Sequence, residues 1–462
     1  MKRRPNILLL MPDQHRGDWL GLYGKLPVRT PNIDALARRG GLFAQAICPS
    51  PLCAPSRAAF ATGFAYDRCP VKHNGEDLPA GTRTFYQDIR NAGYHVATCG
   101  KLDLLKMSGS WGPDGRHGSG ADSKLAAMGF TAGCDNGGKH DAVVAYREGR
   151  AEPYTLYLAS RGLAEVHADD YARRGKATGG TVTGHAVHFL DTDPTALPDD
   201  AYCDNWIGRS GLELIRQAPL DKPWFLQVNF CGPHEPMDVT KAMKDRWSGV
   251  DFPVPGESSG LAPSHHQNIR RNYAAMIENV DEWVGRFVEL LTAGGMLDDT
   301  IVVYTSDHGE MLGEHGLWEK HVPWHPSVHV PLVVAGPGFG GGFRDDRAAS
   351  LIDLTATIRS VAGAAGQDGA KGVPLVPGDE NRVAISGLGC WRTAFDGRYK
   401  LMVGYDGTLS RKQMTLSPFD LRSSQVQLYD LASDPGETCN IVADEPACTA
   451  RLKACIEAAA HA

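Results

Sequence analysis

Asp13-Gln14 and Asp307-His308 each close a short apolar run, residues 7–11 and 301–304. Carboxylate and amide oxygens, joined by an imidazole, are donors for hard or borderline divalent cations. One such pair is an ordinary turn, because Asp favours those positions. Two pairs at equivalent strand ends point to one shared cation. A third segment, Ser50-Pro51-Leu52-Cys53-Ala54-Pro55-Ser56-Arg57, sets Cys53 just ahead of an expected helix. A residue there sits in positive potential, which favours anions and nucleophiles. Arg57 in the first turn adds a guanidinium fork suited to an oxyanion.

These residues need strands that end side by side. The chain alternates accordingly. The apolar run at 6–11 leads through a loop to 30–40, where Thr30 is placed to cap a helix, Pro31 sits in its first turn and Gly40 closes it. The spacing predicts a helix over 85–92 before a strand at 94–99, a helix over 201–217 before a strand at 224–230, and a helix over 272–294 before a strand at 300–306. Residues 330–335 form one more apolar run. Strands alternating with helices imply a mostly parallel sheet covered on both faces, with reactive groups where strands end. Residues 108–149, rich in Gly, Asp and Ser, read as an insertion with little regular structure, and 150–199 as irregular too. Near 392–402 and 427–431 the pattern becomes short antiparallel strands with a turn at Asp396-Gly397, and 452–462 reads as a closing helix. The expected division is a catalytic α/β domain, 1–366, and a C-terminal subdomain, 367–462.

Composition narrows the function. The 462 residues carry 47 Lys plus Arg against 54 Asp plus Glu, a net charge of −7, so there is no basic footprint of a nucleic-acid binder. No apolar run approaches the roughly 18 residues of a membrane span, and Asp13 interrupts what would be a signal h-region. Eleven cysteines, an odd number without metal-type CxxC pairs, indicate a reduced, cytosolic protein with most thiols buried as small apolar groups.

Cys53-Ala54-Pro55-Ser56-Arg57 followed by Ala58-Ala59-Phe60-Ala61-Thr62-Gly63 resembles the signature of the type I sulfatases of the alkaline phosphatase superfamily, in which a maturation enzyme oxidises the Cys to formylglycine. The resemblance runs in order along nearly the whole chain. It includes residues 6–23, Gly100-Lys101, Pro233-His234-Glu235-Pro236, Asp307-His308-Gly309-Glu310, Gly313-Glu314-His315-Gly316-Leu317-Trp318-Glu319-Lys320, and the tail with Leu428-Tyr429-Asp430-Leu431 and Asp434-Pro435. It implies an alkaline-phosphatase-like large domain with a central, mostly parallel sheet, and a small C-terminal domain with an antiparallel sheet and a helix. The implied metal ligands are Asp13, Gln14, Asp307, His308 and an oxygen of matured residue 53. Gln14 and His308 resemble the variant of choline sulfatases and phosphonate monoester hydrolases, and both Ca2+ and Mn2+ suit them.

The implied activity is hydrolysis of sulfate monoesters of small molecules or glycans. One hydroxyl of the hydrated aldehyde attacks sulfur and the other drives collapse that releases sulfate. Arg57, Lys101 and Lys320 would hold the ester, His234 would protonate the leaving oxygen, and Asn74 would contact the nucleophile. A phosphonate or phosphate mono- or diester hydrolase with the same nucleophile is the alternative; a non-catalytic anion-binding homologue is the reading of another class. An assembly of identical chains is common among relatives of this variant. The sequence departs from the family at Gly100-Lys101-Leu102-Asp103, where sulfatases commonly carry Gly-Lys-x-His, a His thought to assist breakdown of the covalent intermediate.

Two other patterns carry less. His321, His325 and His329 fall at helical spacing, but Pro323, Pro326 and Pro331 oppose a regular helix there. The glycine-rich run 336–342 follows a strand like a dinucleotide loop, yet no good helix follows it, so it reads as a surface turn.

Overall fold

The computed structural model describes residues 4–117, 123–177, 184–255, 261–378 and 382–461. An eight-stranded sheet runs through the larger part of it. Its strands are β1 (Asn6–Asp13), β2 (Gly41–Ile47), β3 (His95–Gly100), β4 (Ala132–Asp135), β5 (Trp224–Pro233), β6 (Thr300–Thr305), β7 (Leu332–Ala335) and β8 (Phe343–Ser350). They lie in the order β4-β3-β5-β1-β6-β7-β2-β8.

β1 pairs parallel with β5 and β6, and β3 pairs parallel with β4 and β5. β7 alone runs against both its neighbours, β6 and β2. The reason is the connection: the segment between β6 and β7 holds no crossover helix and stays at the edge where β6 ends, so the chain re-enters the sheet in the opposite direction. β1 is buried along its whole length. Ile7, Leu9 and Met11 enter one apolar cluster and Leu8 and Leu10 the other, as the alternation of a central, doubly covered strand requires.

Helix α1 (Pro31–Arg39) and helix α2 (Cys53–Thr62) flank β2 in the chain. The predicted cap of α1 differs. Thr30 donates its hydroxyl to Asp34 and accepts from the Gly21 amide, while the free amides of Asn32 and Ile33 go to the carboxylate of Asp281 at 3.2 and 2.8 Å. Asp281 belongs to the helix Pro263–Ala293, which starts well before the predicted 272. A carboxylate from a distant helix thus does what a local Thr was expected to do.

The described residues of 108–149, which leave out 118–122, are more regular than their composition suggests. They hold the helix Lys124–Met128, edge strand β4 and the helix Gly138–Arg147. Helices Pro153–Ser160 and Ala164–Arg174 likewise correct the irregular reading of 150–199, of which 178–183 lie outside the described residues. The glycine run after β7 is a turn, bridged between Gly336 and Phe339, and leads into a strand, β8.

The second sheet is antiparallel, in the order β12-β11-β10-β9. It comprises β9 (Ala384–Leu388), which the sequence reading missed, β10 (Trp391–Phe395), β11 (Tyr399–Val403) and β12 (Val426–Asp430). The helix Pro446–His461 closes it through Leu452 and Ile456. Trp391 and Phe395 belong to the apolar cluster that also contains Ile7 and Leu9, so the core runs from the large sheet into the small one. Among the described residues no helix is long and apolar enough to cross a membrane.

Replacing Asp281 by Ala strips the first turn of α1 of its acceptor, and the expected loss is about 1–3 kcal/mol. The midpoint of urea unfolding checks this; an unchanged midpoint would mean that water caps the helix equally well.

Candidate active site

Four neighbouring strands, β3, β5, β1 and β6, run in the same direction and end at one edge of the sheet. Lys101 follows β3, His234 follows β5, Asp13 ends β1 and Asp307 follows β6 by one residue. The N-terminus of α2 brings Cys53 to the same edge. The Asp13, Cys53, Asp307 and His308 donor atoms all lie within 4.8 Å of one another, and all four residues are buried.

The Cys53 sulfur lies 3.2 Å from His308 Nε2, and 3.8 Å from both Asp13 Oδ1 and Lys101 Nζ. Burial and Asp13 raise this thiol, but Lys101, Lys320 and His308 outweigh them and hold it well below the ordinary cysteine range. Burial would lower the His308 imidazole, yet Asp307 and the Cys53 sulfur push it up to about 9. Burial would raise Asp13, yet Lys101, His234, Arg57 and His308 keep it well below the usual carboxylate range.

The donor set fits a divalent cation. His308 Nδ1 donates to the Gly309 carbonyl at 3.0 Å, which fixes the ring and turns Nε2 inward as a ligand. Asp307 is fixed just as firmly: Oδ1 accepts from the Gln14 and His308 amides and Oδ2 from Arg57 Nε at 2.9 Å. Gln14 occupies a left-handed backbone position (φ 70°). Its side-chain oxygen accepts from Lys320 Nζ at 2.5 Å, and its amide nitrogen donates to Glu235 and Glu310 at 2.8 and 2.5 Å. Gln14 is therefore within the site, with its carbonyl oxygen already engaged by a lysine.

Arg57 lies beneath the site. It is 2% exposed and does not line the cavity, in contrast to the substrate fork read from the sequence. Besides Asp307 it binds the Lys101 carbonyl at 2.8 Å and Asn229 Oδ1 at 3.0 Å, with Asp13 Oδ2 3.6 Å away. Lys101 lies 2.5 Å from Asp13 Oδ2. Lys320 donates to His234 Nε2 at 2.8 Å, while His234 Nδ1 donates to the Glu235 carbonyl at 2.7 Å. Asn74 accepts from the Ala54 amide at 3.0 Å, one residue from Cys53. Above this floor lies a cavity of about 430 Å3 whose walls include Cys53, Asn74, Lys101, His234 and Lys320.

Glu235, Glu310 and Asn229 were not singled out from the sequence as site residues. The first two sit inside recognised segments, next to His234 and three residues after Asp307, and only the fold shows that they converge on Gln14. Burial, helped by Glu235, pushes Glu310 up to about 7. His321, His325 and His329 form no metal cluster among the described residues; His325 and His329 stack on each other at 4.5 Å, and His329 Nε2 donates to the Ala44 carbonyl.

A mostly parallel sheet ending in a buried carboxylate and imidazole cluster beside a helix-start thiol is an α/β hydrolase arrangement whose donors could hold a metal ion. The family model described as Sulfatase matches residues 5–364, and the chain belongs to that family of sulfuric ester hydrolases. It is 29% identical over 477 residues to a choline-sulfatase of Rhizobium meliloti (strain 1021), spanning 94% of this chain and 83% of that protein. It is 25% identical over 482 residues to an arylsulfatase of Clostridium perfringens (strain 13 / Type A), spanning 96% and 91%. Its fold superimposes with a TM-score of 0.74 on a phosphonate monoester hydrolase of Agrobacterium radiobacter, 24% identical, covering 99% of this chain and 95% of that one.

Arg57 is the cation bonded to Asp307 and the longer-range partner of Asp13, which also has Lys101, so Arg57→Met leaves the buried Asp307 carboxylate without its cation. The expected cost is about 3–5 kcal/mol, read as a lower unfolding midpoint in chelated protein. A variant as stable as the parent would show that Lys101 alone balances both.

Proposed function

We propose that the chain hydrolyses sulfate monoesters in this cavity, with residue 53 as nucleophile after a maturation enzyme has oxidised Cys53 to formylglycine. The observation that supports this most is the position of Cys53: first residue of α2, grouped with Asp13, Asp307 and His308 and within 3.8 Å of Lys101. A divalent cation, Ca2+ or Mn2+, held by Asp13, Asp307 and His308 would acidify a hydroxyl of the matured residue and draw charge from the ester oxygens.

The chain's own groups do the rest. Asn74, through the Ala54 amide, fixes the first turn of α2 and so the position of residue 53. Lys101 and Lys320 bring positive charge to the cavity wall, where the sulfuryl oxygens gain charge in the transition state. Arg57 acts from below, as a positioning residue that holds Asp307 against β1. Lys320 donates to His234 Nε2 at 2.8 Å beside the cavity, which places the pair to deliver a proton to the departing alkoxide. Gln14, tied to Lys320, Glu235 and Glu310, fixes that lysine in place.

The cavity has room for a small alcohol or a terminal sugar as leaving group. The odd thiol count supports a cytosolic setting. Gln14 and His308 also suit phosphonate or phosphate esters, so both ester classes belong in the assay.

In protein made with its maturation enzyme, mass spectrometry of the peptide containing residue 53 should show the thiol-bearing carbon converted to an aldehyde. Turnover of an aryl sulfate should exceed that of an aryl phosphonate, fall by roughly 10³-fold or more in Cys53→Ala, and vanish on chelation, returning with Ca2+ or Mn2+. Converted protein silent on both esters would leave the non-catalytic anion-binding reading standing. Faster phosphonate turnover would move the assignment to the second ester class.

A further inference from the structure

Where the family pattern has a histidine, this chain places Asp103, and a carboxylate cannot lend positive charge to an oxyanion. The structure shows what surrounds it. Asp103 takes a left-handed backbone conformation (φ 55°), which Asp tolerates better than bulky residues do. Its carboxylate is buried, and Oδ2 lies 3.4 Å from Lys101 Nζ and 2.9 Å from Lys106 Nζ. Lys106 has a second acceptor, Asp141 Oδ2 at 3.2 Å, in the helix Gly138–Arg147.

Lys101 in turn lies 3.8 Å from the Cys53 sulfur. The order Cys53, Lys101, Asp103, Lys106 is thus a continuous row, and all four residues line the same cavity. Asp103 between two ammonium groups, with Asp141 beyond Lys106, makes a row of alternating charge whose two cations, Lys101 and Lys106, both reach the cavity. Lys106 also lies nearer the opening, its side chain 14% exposed against 3% for Asp103. Burial disfavours its charge, but Asp103 and Asp141 more than compensate, so the ammonium stays protonated. An exposed lysine pairing with a surface acid would need neither a buried carboxylate nor a left-handed backbone to receive it.

We propose that Lys106, oriented by Asp103 and Asp141, is a substrate-binding group that brings positive charge to the ester's oxyanion, with Asp103 standing where the family pattern has a histidine. Asp103 is then a positioning residue, holding Lys101 and Lys106 apart and in place. This inference rests on the sulfatase reading above for the nature of the ligand.

The test compares matured parent, Lys106→Ala, Lys106→Arg, Asp103→Asn and the double variant Asp103→His with Lys106→Ala. Two readouts are used: turnover of 4-nitrophenyl sulfate, and affinity for inorganic sulfate by calorimetry. Lys106→Ala should lower kcat/KM roughly 10- to 100-fold and weaken sulfate binding about tenfold. Lys106→Arg should stay within about threefold of the parent, because it keeps the charge and the reach. Asp103→Asn should lower kcat/KM while leaving the unfolding midpoint near that of the parent. The double variant should regain part of what Lys106→Ala loses, since the histidine restores a cation at the family position.

Lys106→Ala within about twofold of the parent in both readouts overturns the inference and leaves the sulfatase reading intact. So does an Arg variant as impaired as the Ala one. A parent that turns over no ester but binds sulfate through Lys106 keeps the inference while refuting the hydrolase reading. A parent that does neither overturns both.

Discussion

The structure depends on balancing negative charge buried at the ends of β1 and β6. Asp13 and Asp307 are withdrawn from water within 4.8 Å of a thiol held well below the ordinary cysteine range, and two carboxylates so placed repel each other strongly in a medium of low polarity. Arg57 meets it from below, contacting Asp307 directly and Asp13 at longer range, and Lys101 meets it from the β3 side. Both cations are placed by the same sheet and helix that place the anions. What remains open is the face toward His308 Nε2, where Asp13 Oδ1 has only long contacts. A proton on His308 supplies the missing charge here, and the elevated affinity of that ring for a proton expresses the same field that would hold a divalent cation.

That balance explains the fold's geometry at this edge. Anion, cation and nucleophile must meet at one point, and a parallel sheet delivers this because its strands all end on the same side. Each strand contributes its first residues beyond the hydrogen-bonded ladder, where the backbone is free to turn. Gln14, with its left-handed backbone, is such a turn: it sends its amide to Asp307 and its side chain to Lys320, joining β1 to the loop after β6.

Much of this was legible in the sequence. Apolar runs marked β1 and β6, and mostly apolar segments after helical stretches marked β3 and β5 despite the buried Gln227 and Asn229 within β5, and the chemistry-bearing side chains stood at their ends. Less regular signals were misread for physical reasons. β4 is a short edge strand with little apolar content, so its Gly- and Asp-rich sequence resembles a loop. The cap of α1 comes from Asp281, far along the chain, and no local motif announces it. Arg57 was read as a fork for substrate because its place in a first helical turn suits that role; its direction depends on Asp307 and Asn229, which only the folded chain brings beneath it. Glu235 and Glu310 were visible but had no assigned partner until Gln14 was seen between them.

The small antiparallel sheet has a function that its distance from the nucleophile conceals. The segment from β6 to β7 carries Asp307, His308 and Lys320, yet it contains only one-turn helices and three positive-φ residues other than glycine between Leu312 and Glu319. A segment of that kind cannot hold a lysine to within hydrogen-bond distance of two partners by its own backbone. The C-terminal part supplies the restraint. Arg411 pairs with Glu319 and donates to the Trp318 carbonyl, Trp391 Nε1 donates to the His321 carbonyl at 3.1 Å, and Glu437 accepts the His325 amide at 2.6 Å. Glu437 is itself paired with Lys400 of β11 in a buried contact. Lys320 therefore sits between residues clamped on both sides by the C-terminal part of the chain, which contributes no residue to the cavity wall.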